Sequence, residues 1–79
     1  MIISGGINVH PASVERVICR HPAVRDVVVL GLPDAVYGEI VTAIVVGSVR
    51  GEVLLAWCRE HLPSSQRPRR IIVRDALPL

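Results

Sequence analysis

Two short stretches of this 79-residue chain carry residue types suited to binding a ligand. The first contains Gly5 and Gly6, where the lack of side chains lets another backbone or a thin ligand lie against the main chain. A helix is predicted to begin at Pro11, and a glycine loop before a helix N-terminus can bind phosphate. The chain has neither the G-K-[ST] ending of a Walker loop nor a G-x-G-x-x-G fingerprint, so a tight turn is the favoured interpretation of this stretch by itself.

The second stretch is a cluster of arginines formed by Arg67, Arg69, Arg70 and Arg74. Guanidinium groups pair well with phosphates, which suggests a nucleotide or coenzyme phosphate as ligand. A solvated cationic surface explains the cluster equally well. All nine basic residues are arginines, and the absence of lysine excludes a lysine Schiff base, a lysine base or a Walker lysine within these residues.

The histidines and cysteines show no spacing typical of a metal site. His10, His21 and His61 each lie at or near a predicted helix end, so no metal ligand is assigned. Cys19 and Cys58 match no zinc motif and are too few for a disulfide-stabilised secreted domain, which favours a reduced, cytoplasmic setting. Both are predicted to be small buried residues of the core.

These stretches must be held in place by a small set of helices and strands. The hydrophobic pattern predicts helices over 11–20 and 52–62, and strands over 1–3, 24–32, 40–46 and 71–73. The two central strands are predicted to be antiparallel neighbours joined by a loop too long for a tight hairpin. The order β-α-β-β-α-β gives an α+β fold class, with a short mixed or antiparallel three-stranded sheet and helices packed on it.

The composition indicates which kinds of partner such a domain could have. Hydrophobic residues make up 51% of the chain and the mean hydropathy is +0.49, which is more apolar surface than a domain of this size can bury. The excess predicts an apolar face for another domain or subunit, although apolar residues scattered singly over the surface are the alternative. The net charge of +2 is too small to indicate nucleic acid. No segment predicts a signal peptide or a membrane span.

Several motifs become specific when they are taken together and in order. The run IISGGINVHPASVERVICRHPAVRDVVVLGLPDAVYGE is followed by an aliphatic strand, a helix carrying WCREHL, and RPRRIIVRDALP. This ordered set resembles the C-terminal domain of the adenylate-forming acyl-CoA synthetases, and the resemblance covers essentially the whole chain. Members of that family join a fatty, aromatic or other carboxylic acid to coenzyme A in two half-reactions, by way of an acyl-adenylate.

The resemblance implies a role for residues 1–79 as the mobile lid of such an enzyme. It implies that Gly5 and Gly6 line the tunnel for the pantetheine arm of coenzyme A. It also implies that Tyr37 lies near the nucleotide of coenzyme A, and that Arg67 and Arg69 meet its phosphates. For Tyr37 and for the two arginines, a purely structural role is an equal alternative.

The resemblance also implies that the chain does not act alone. Relatives continue past DALP to a lysine that stabilises the adenylation transition state, and their hinge precedes the position of Met1, so the lid looks truncated at both ends. No catalytic residue is therefore assigned, and the chain is expected to be inactive without an N-terminal AMP-binding domain in the same or a separate chain. ATP and coenzyme A are expected as co-substrates of the full enzyme, with none bound tightly and Mg only on the N-terminal domain.

Two other functional classes compete with this interpretation. A stand-alone ferredoxin-like regulatory module that binds a small ligand would share the same order of elements. An RNA-binding sheet is less well supported, because it needs aromatic side chains on its strands, whereas Tyr37 and Trp57 both lie outside the predicted strands.

Overall fold

The computed structural model describes residues 1–75, which form five strands, two α-helices and a short 3₁₀ turn. The last residues of the DALP motif lie outside this part of the chain. In chain order the elements are β1 (Ile2–Ser4), β2 (Ile7–Val9), α1 (Pro11–Ile18), β3 (Val24–Asp34), β4 (Gly38–Gly47), α2 (Gly51–His61), the 3₁₀ turn (Ser64–Gln66) and β5 (Arg70–Arg74).

The strands form one mixed sheet with β4 at its centre. One edge of β4 pairs antiparallel with β3 over its whole length, whereas the other edge carries β1 at Gly38 and β5 from Thr42 to Val46. Strand β5 runs parallel to β4, and β2 pairs antiparallel with β1 at the margin. The α+β class and the mixed sheet are thus confirmed, but the sheet has five strands rather than the predicted three.

The paired glycines form a β-hairpin rather than a loop that leads directly into a helix. Ser4 pairs with Ile7, which leaves Gly5 and Gly6 as the two loop residues, with φ angles of 57° and 81°. Positive φ at both positions is the requirement of the type I′ turn that joins antiparallel strands. The prediction missed β2 because three residues, one of them Asn8, are too few to show an alternating pattern.

The turn between β3 and β4 is also tighter than predicted. It has three residues, 35–37, because β3 continues through Pro33 to Asp34 and β4 begins at Gly38. Pro33 is tolerated within β3 because this strand lies at the edge of the sheet, where a missing N–H breaks no ladder. Gly38 takes up the reversal of the chain with a φ of 82°.

Both helices pack against the same face of the sheet, the helix-covered face. Val14 and Ile18 of α1 and Leu54 of α2 have no exposed surface, and Cys58 of α2 is also buried, as predicted. The prediction for Cys19 is wrong, because α1 ends at Ile18 and leaves this cysteine exposed at the helix C-cap. The sheet contributes Ile2, Val9, Val24, Val27, Val29, Val41, Ala43 and Val45 to this core.

A side chain of α1 covers the outer edge of β3. Oε2 of Glu15 accepts a hydrogen bond of 2.8 Å from the backbone N–H of Val29, on an edge with no neighbouring strand among residues 1–75. Edge strands expose backbone donors that invite pairing with other chains, and a carboxylate on such a donor prevents that pairing. Glu15 therefore satisfies the backbone and protects the edge.

Replacing Glu15 with alanine is expected to lower the free energy of unfolding by about 1–2 kcal/mol, because the N–H of Val29 is left without its acceptor at a part-buried position. Glu15→Gln keeps an acceptor oxygen and should recover most of that loss. Urea unfolding followed by circular dichroism measures both variants, with exposed Arg16→Ala on the same helix as control. Equal stability of Glu15→Ala and the wild-type chain would contradict this role.

Candidate functional site

Three of the five predicted binding residues meet at one place on the surface. The backbone N–H of Gly5 donates a 3.0 Å hydrogen bond to the carbonyl oxygen of Tyr37. The guanidinium carbon of Arg69 lies 3.9 Å from the centre of the Tyr37 ring, which is a cation–π contact. A glycine hairpin, a turn and the approach to β5 thus converge on a single aromatic ring.

The position of Tyr37 is fixed by the turn that carries it. Oδ2 of Asp34 accepts hydrogen bonds from the backbone N–H groups of Val36 and Tyr37, at 3.0 and 2.9 Å. An aspartate that bonds to the backbone two and three residues further on stabilises a turn. The ring is therefore held by a rigid turn and not by a loose loop.

The position of Arg69 is fixed by the start of the β4–β5 ladder. Its backbone N–H donates a 2.8 Å hydrogen bond to the carbonyl oxygen of Val41, one residue before Thr42 pairs with Arg70. Because β1 and β5 share one edge of β4, Arg69 lies at the junction between the glycine hairpin and β5. This placement brings its side chain over Tyr37.

The two glycines differ in what a side chain at each would meet. A β-carbon on Gly5 would lie 3.3 Å from Cδ1 of Tyr37, so the bare backbone is what admits the ring. A β-carbon on Gly6 would have no atom within 4 Å. Gly6 therefore faces open space, and an extended ligand can pass along the main chain there.

Arg67 does not join this group. Its Nε donates to the carbonyl oxygen of Leu62 at 2.9 Å, and its Nη2 donates to that of Arg59 at 2.8 Å. These acceptors belong to the C-terminal end of α2, where carbonyl groups lack helical partners and a cation is favourable. In this structure Arg67 caps a helix.

Two acidic residues, neither of them among the predicted binding residues, support the site. Asp34 holds the turn, and Oε1 of Glu39 accepts a 3.0 Å hydrogen bond from the N–H of Ile3, which ties the glycine hairpin to β4. Both lie in GLPDAVYGE, the end of the long run on which the family resemblance rests, so the signal was present in the sequence. Their hydrogen bonds fix the positions of Tyr37 and of the glycine hairpin.

The histidines have local structural roles. The ring of His61 stacks on Trp57 with a centroid separation of 3.9 Å, and its Nδ1 is 2.8 Å from the carbonyl oxygen of Trp57. His21 meets the edge of the same indole, and its Nδ1 accepts a hydrogen bond from Ala23. Residues 1–75 contain no group of three or more metal-ligating side chains that could hold an ion.

Neither cysteine has the environment of a reactive thiol. Partial burial raises the pKa of Cys19, and the negative charges of Asp26 and Glu15 raise it further. Burial also raises the pKa of Cys58, against a smaller opposing effect of Arg67. Because the thiolate is the nucleophilic form, a raised pKa makes both side chains less reactive at neutral pH.

Fold and site together define a small α+β domain with a preformed glycine, tyrosine and arginine surface. The chain belongs to the family of the AMP-binding enzyme C-terminal domain, whose family model matches residues 13–79. The resemblance predicted from the sequence motifs is thereby confirmed. A stand-alone ferredoxin-like module is not favoured.

Relatives match nearly the whole chain. It is 46% identical to a 4-chlorobenzoate–CoA ligase from Pseudomonas sp. and 38% identical to an uncharacterized acyl–CoA ligase from Bacillus subtilis, over 99% of this chain in each case. A solved structure of a Mycobacterium tuberculosis fatty acyl CoA synthetase superposes with a TM-score of 0.93 at 43% identity over 99% of the chain.

The match covers only a small part of each relative. The chain spans 16% of the length of both ligases and 16% of the superposed synthetase. Its relatives are therefore much larger proteins in which this domain is one component. Within residues 1–75, no helix is long and apolar enough to cross a membrane.

Proposed function

We propose that this chain acts as the C-terminal lid of an ATP-dependent acyl-CoA synthetase and forms one wall of the tunnel that admits coenzyme A. The enzyme as a whole would convert a carboxylate, ATP and coenzyme A into acyl-CoA, AMP and pyrophosphate. The observation that carries the proposal is the convergence of Gly5, Tyr37 and Arg69 on one exposed surface.

Each part of that surface suits a different part of coenzyme A. The pantetheine arm is a thin, flexible chain, and Gly6 offers it open backbone without a β-carbon. Tyr37 offers an aromatic surface beside the nucleotide. The guanidinium of Arg69 lies over that ring, and its N–H groups can donate to phosphate oxygens.

Arg67 is the weaker contributor among the predicted phosphate ligands. Its Nε and one N–H of Nη2 are bound to helix carbonyls, so it can offer a phosphate only its remaining donors. Its positive charge still adds to the local field. Arg69 is accordingly proposed as the principal phosphate contact.

The lid needs an opposite wall and a source of acyl-adenylate. We propose that an N-terminal AMP-binding domain, in the same or a separate chain, supplies the carboxylate pocket, the ATP site and Mg. This chain has no lysine, so it cannot provide the adenylation lysine of the family from its own residues. Incubated alone with ATP, Mg and a panel of carboxylates, it should catalyse no ATP–pyrophosphate exchange.

A domain-exchange experiment tests whether the chain supports thioester formation when it is joined to an N-terminal AMP-binding domain. Residues 1–79 would replace the matching segment of the 4-chlorobenzoate–CoA ligase from Pseudomonas sp., whose own preceding and following residues are kept. We expect this exchanged enzyme to form the thioester, and the ligase without the segment to form none. Two results would contradict the proposed role. One is ATP–pyrophosphate exchange catalysed by the isolated chain, and the other is a domain-exchanged ligase that makes adenylate but no thioester.

A further inference from the structure

The glycine hairpin, formed by β1, β2 and the two glycines between them, is attached to the rest of the sheet over a short stretch. Among residues 1–75, β1 pairs with β4 only where Ser4 lies opposite Gly38, whereas β3 pairs with β4 along its whole length. The hydrogen bond from Gly5 to Tyr37 adds one further link. The loop end of the hairpin, where Gly5 and Gly6 lie, is therefore held by few backbone contacts.

A side chain of β4 supplies a contact where this short ladder ends. Continuing the antiparallel register would place Ile3 opposite Glu39, but no such pair forms in the part of the chain that the structure describes. Instead, Oε1 of the partly buried Glu39 accepts a 3.0 Å hydrogen bond from the backbone N–H of Ile3. Hydrogen bonds to a carboxylate are stronger than those between neutral groups, so this side chain takes the place of a main-chain acceptor.

Gly31 of β3 makes room for that side chain. A β-carbon on Gly31 would lie 2.7 Å from Oε2 of Glu39 and 3.0 Å from its Cδ, which is too close for both to keep their places. The same β-carbon would lie 3.0 Å from Cγ2 of Ile2. Because Gly31 is not among the glycines with positive φ, space and not backbone conformation is what a side chain there would violate.

We infer that Glu39 is a positioning residue for thioester formation, which fixes the glycine hairpin at the place where coenzyme A passes, and that Gly31 provides the space this carboxylate needs. The inference rests on the proposed function, since it assigns a role within the same site. Glu39 carries a negative charge and offers no donor to the phosphates of coenzyme A. Its effect on coenzyme A therefore acts through the hairpin.

The size of the effect follows from an equilibrium between an attached and a displaced hairpin. Loss of one hydrogen bond to a charged acceptor shifts such an equilibrium by about 10- to 100-fold. Because the attached form predominates at the start, only part of this shift lowers the attached fraction, and the KM for coenzyme A should rise by about 3- to 10-fold in Glu39→Ala. Adenylate formation, and thioester formation at saturating coenzyme A, should be unchanged, since bound coenzyme A restores the attached form.

The domain-exchanged ligase measures this effect. Thioester formation gives the KM for coenzyme A, and pyrophosphate release gives the adenylation rate. Glu39→Gln keeps an acceptor oxygen and should stay within about twofold of the wild-type KM. The matched control is Glu60→Ala, the same change at an exposed position of α2, which should alter neither quantity. An equal rise of the KM in Glu39→Gln and Glu39→Ala would overturn the inference, because it would assign the effect to the charge and not to the acceptor.

Amide hydrogen exchange in the 79-residue chain tests the positioning without coenzyme A. Nuclear magnetic resonance gives the exchange rate of the Gly5 N–H, whose hydrogen bond to Tyr37 belongs to the attached hairpin. That rate should rise by about 3- to 10-fold in Glu39→Ala, while the amide of Val28 in the β3–β4 ladder keeps its wild-type rate. An unchanged rate at Gly5, or an equal rise at Val28, would overturn the inference.

Gly31→Ala provides a second variant that leaves Glu39 in the chain. The added methyl group should displace the carboxylate from Ile3, and thus raise both the KM for coenzyme A and the exchange rate of the Gly5 amide as Glu39→Ala does. The double variant should be no worse than Glu39→Ala alone, because both changes remove the same hydrogen bond. Additive effects would show that Gly31→Ala acts through Ile2 and would contradict the role assigned to Gly31.

The two measurements separate failure of this inference from failure of the proposed function. A wild-type domain-exchanged ligase that forms no thioester would contradict the proposed function, and the positioning role in thioester formation would fall with it. A ligase that forms thioester with the same KM for coenzyme A in Glu39→Ala as in wild type would leave the proposed function standing and would overturn the inference alone.

Discussion

Replacing Leu54 with alanine is expected to lower the free energy of unfolding by about 2–5 kcal/mol, the usual cost of removing a large aliphatic side chain from a core. Leu54 has no exposed surface and lies where α2 meets the sheet. A domain of this size has a total stability of only about 4–12 kcal/mol, so the loss is a large share of it. The variant should therefore unfold at a clearly lower urea concentration than the wild-type chain.

Chemical unfolding in urea, followed by the far-ultraviolet circular dichroism signal, measures this loss. The matched control is Val53→Ala on the adjacent residue of the same helix, where the side chain is 50% exposed. It should change the free energy of unfolding by less than about 0.5 kcal/mol. Similar losses in the free energy of unfolding for Leu54→Ala and Val53→Ala would show that α2 does not pack on the core as described.

Replacing Gly6 with leucine in the exchanged enzyme is expected to slow thioester formation by about 100-fold while leaving adenylate formation unchanged. No atom lies within 4 Å of the position of a β-carbon at Gly6, so a leucine there would project into the space proposed for the pantetheine arm. Pyrophosphate release reports the first half-reaction, and thioester absorbance reports the second. Parallel losses in both would argue against a tunnel wall.

Gly38 provides a control for backbone strain. Its φ of 82° is nearly that of Gly6 at 81°, and a β-carbon there would also meet nothing within 4 Å. Leucine at either position should therefore cost a similar amount of stability, about 1–2 kcal/mol. Only Gly6→Leu should slow thioester formation while sparing adenylate formation. An equally slow thioester step in Gly38→Leu would show that backbone strain, and not a blocked tunnel, causes the loss.

The sequence predicted the elements whose signals are local. Pro11 marked the start of α1, and the apolar spacing of α2 placed Leu54 and Cys58 on its buried side, as found. Its errors came from short or misleading signals. Cys19 continued the apolar pattern of α1 one residue beyond the end of the helix. Pro33 suggested a turn, but it lies within β3, because a proline is tolerated in an edge strand and the sequence does not show which strand lies at the edge.

The site was predicted less completely than the fold. Gly5, Tyr37 and Arg69 were chosen by resemblance, but their contacts depend on pairing between strands that are distant in the sequence. Arg67 and Arg69 looked equivalent in the sequence. They diverge because Pro68 separates an arginine that reaches back to α2 from one that joins the β4 ladder. The difference between the two arginines could be seen only once the pairing register of β5 with β4 was known.

The convergence of three separate elements on Tyr37 has a consequence for folding. The local β3–β4 hairpin can form early, because its strands are joined by a three-residue turn. At that stage the ring of Tyr37 has neither Gly5 beside it nor Arg69 above it, since each belongs to a distant part of the chain. We therefore expect the surface proposed to bind coenzyme A to be among the last features to form, and a partly folded chain would present the turn without Gly5 and Arg69.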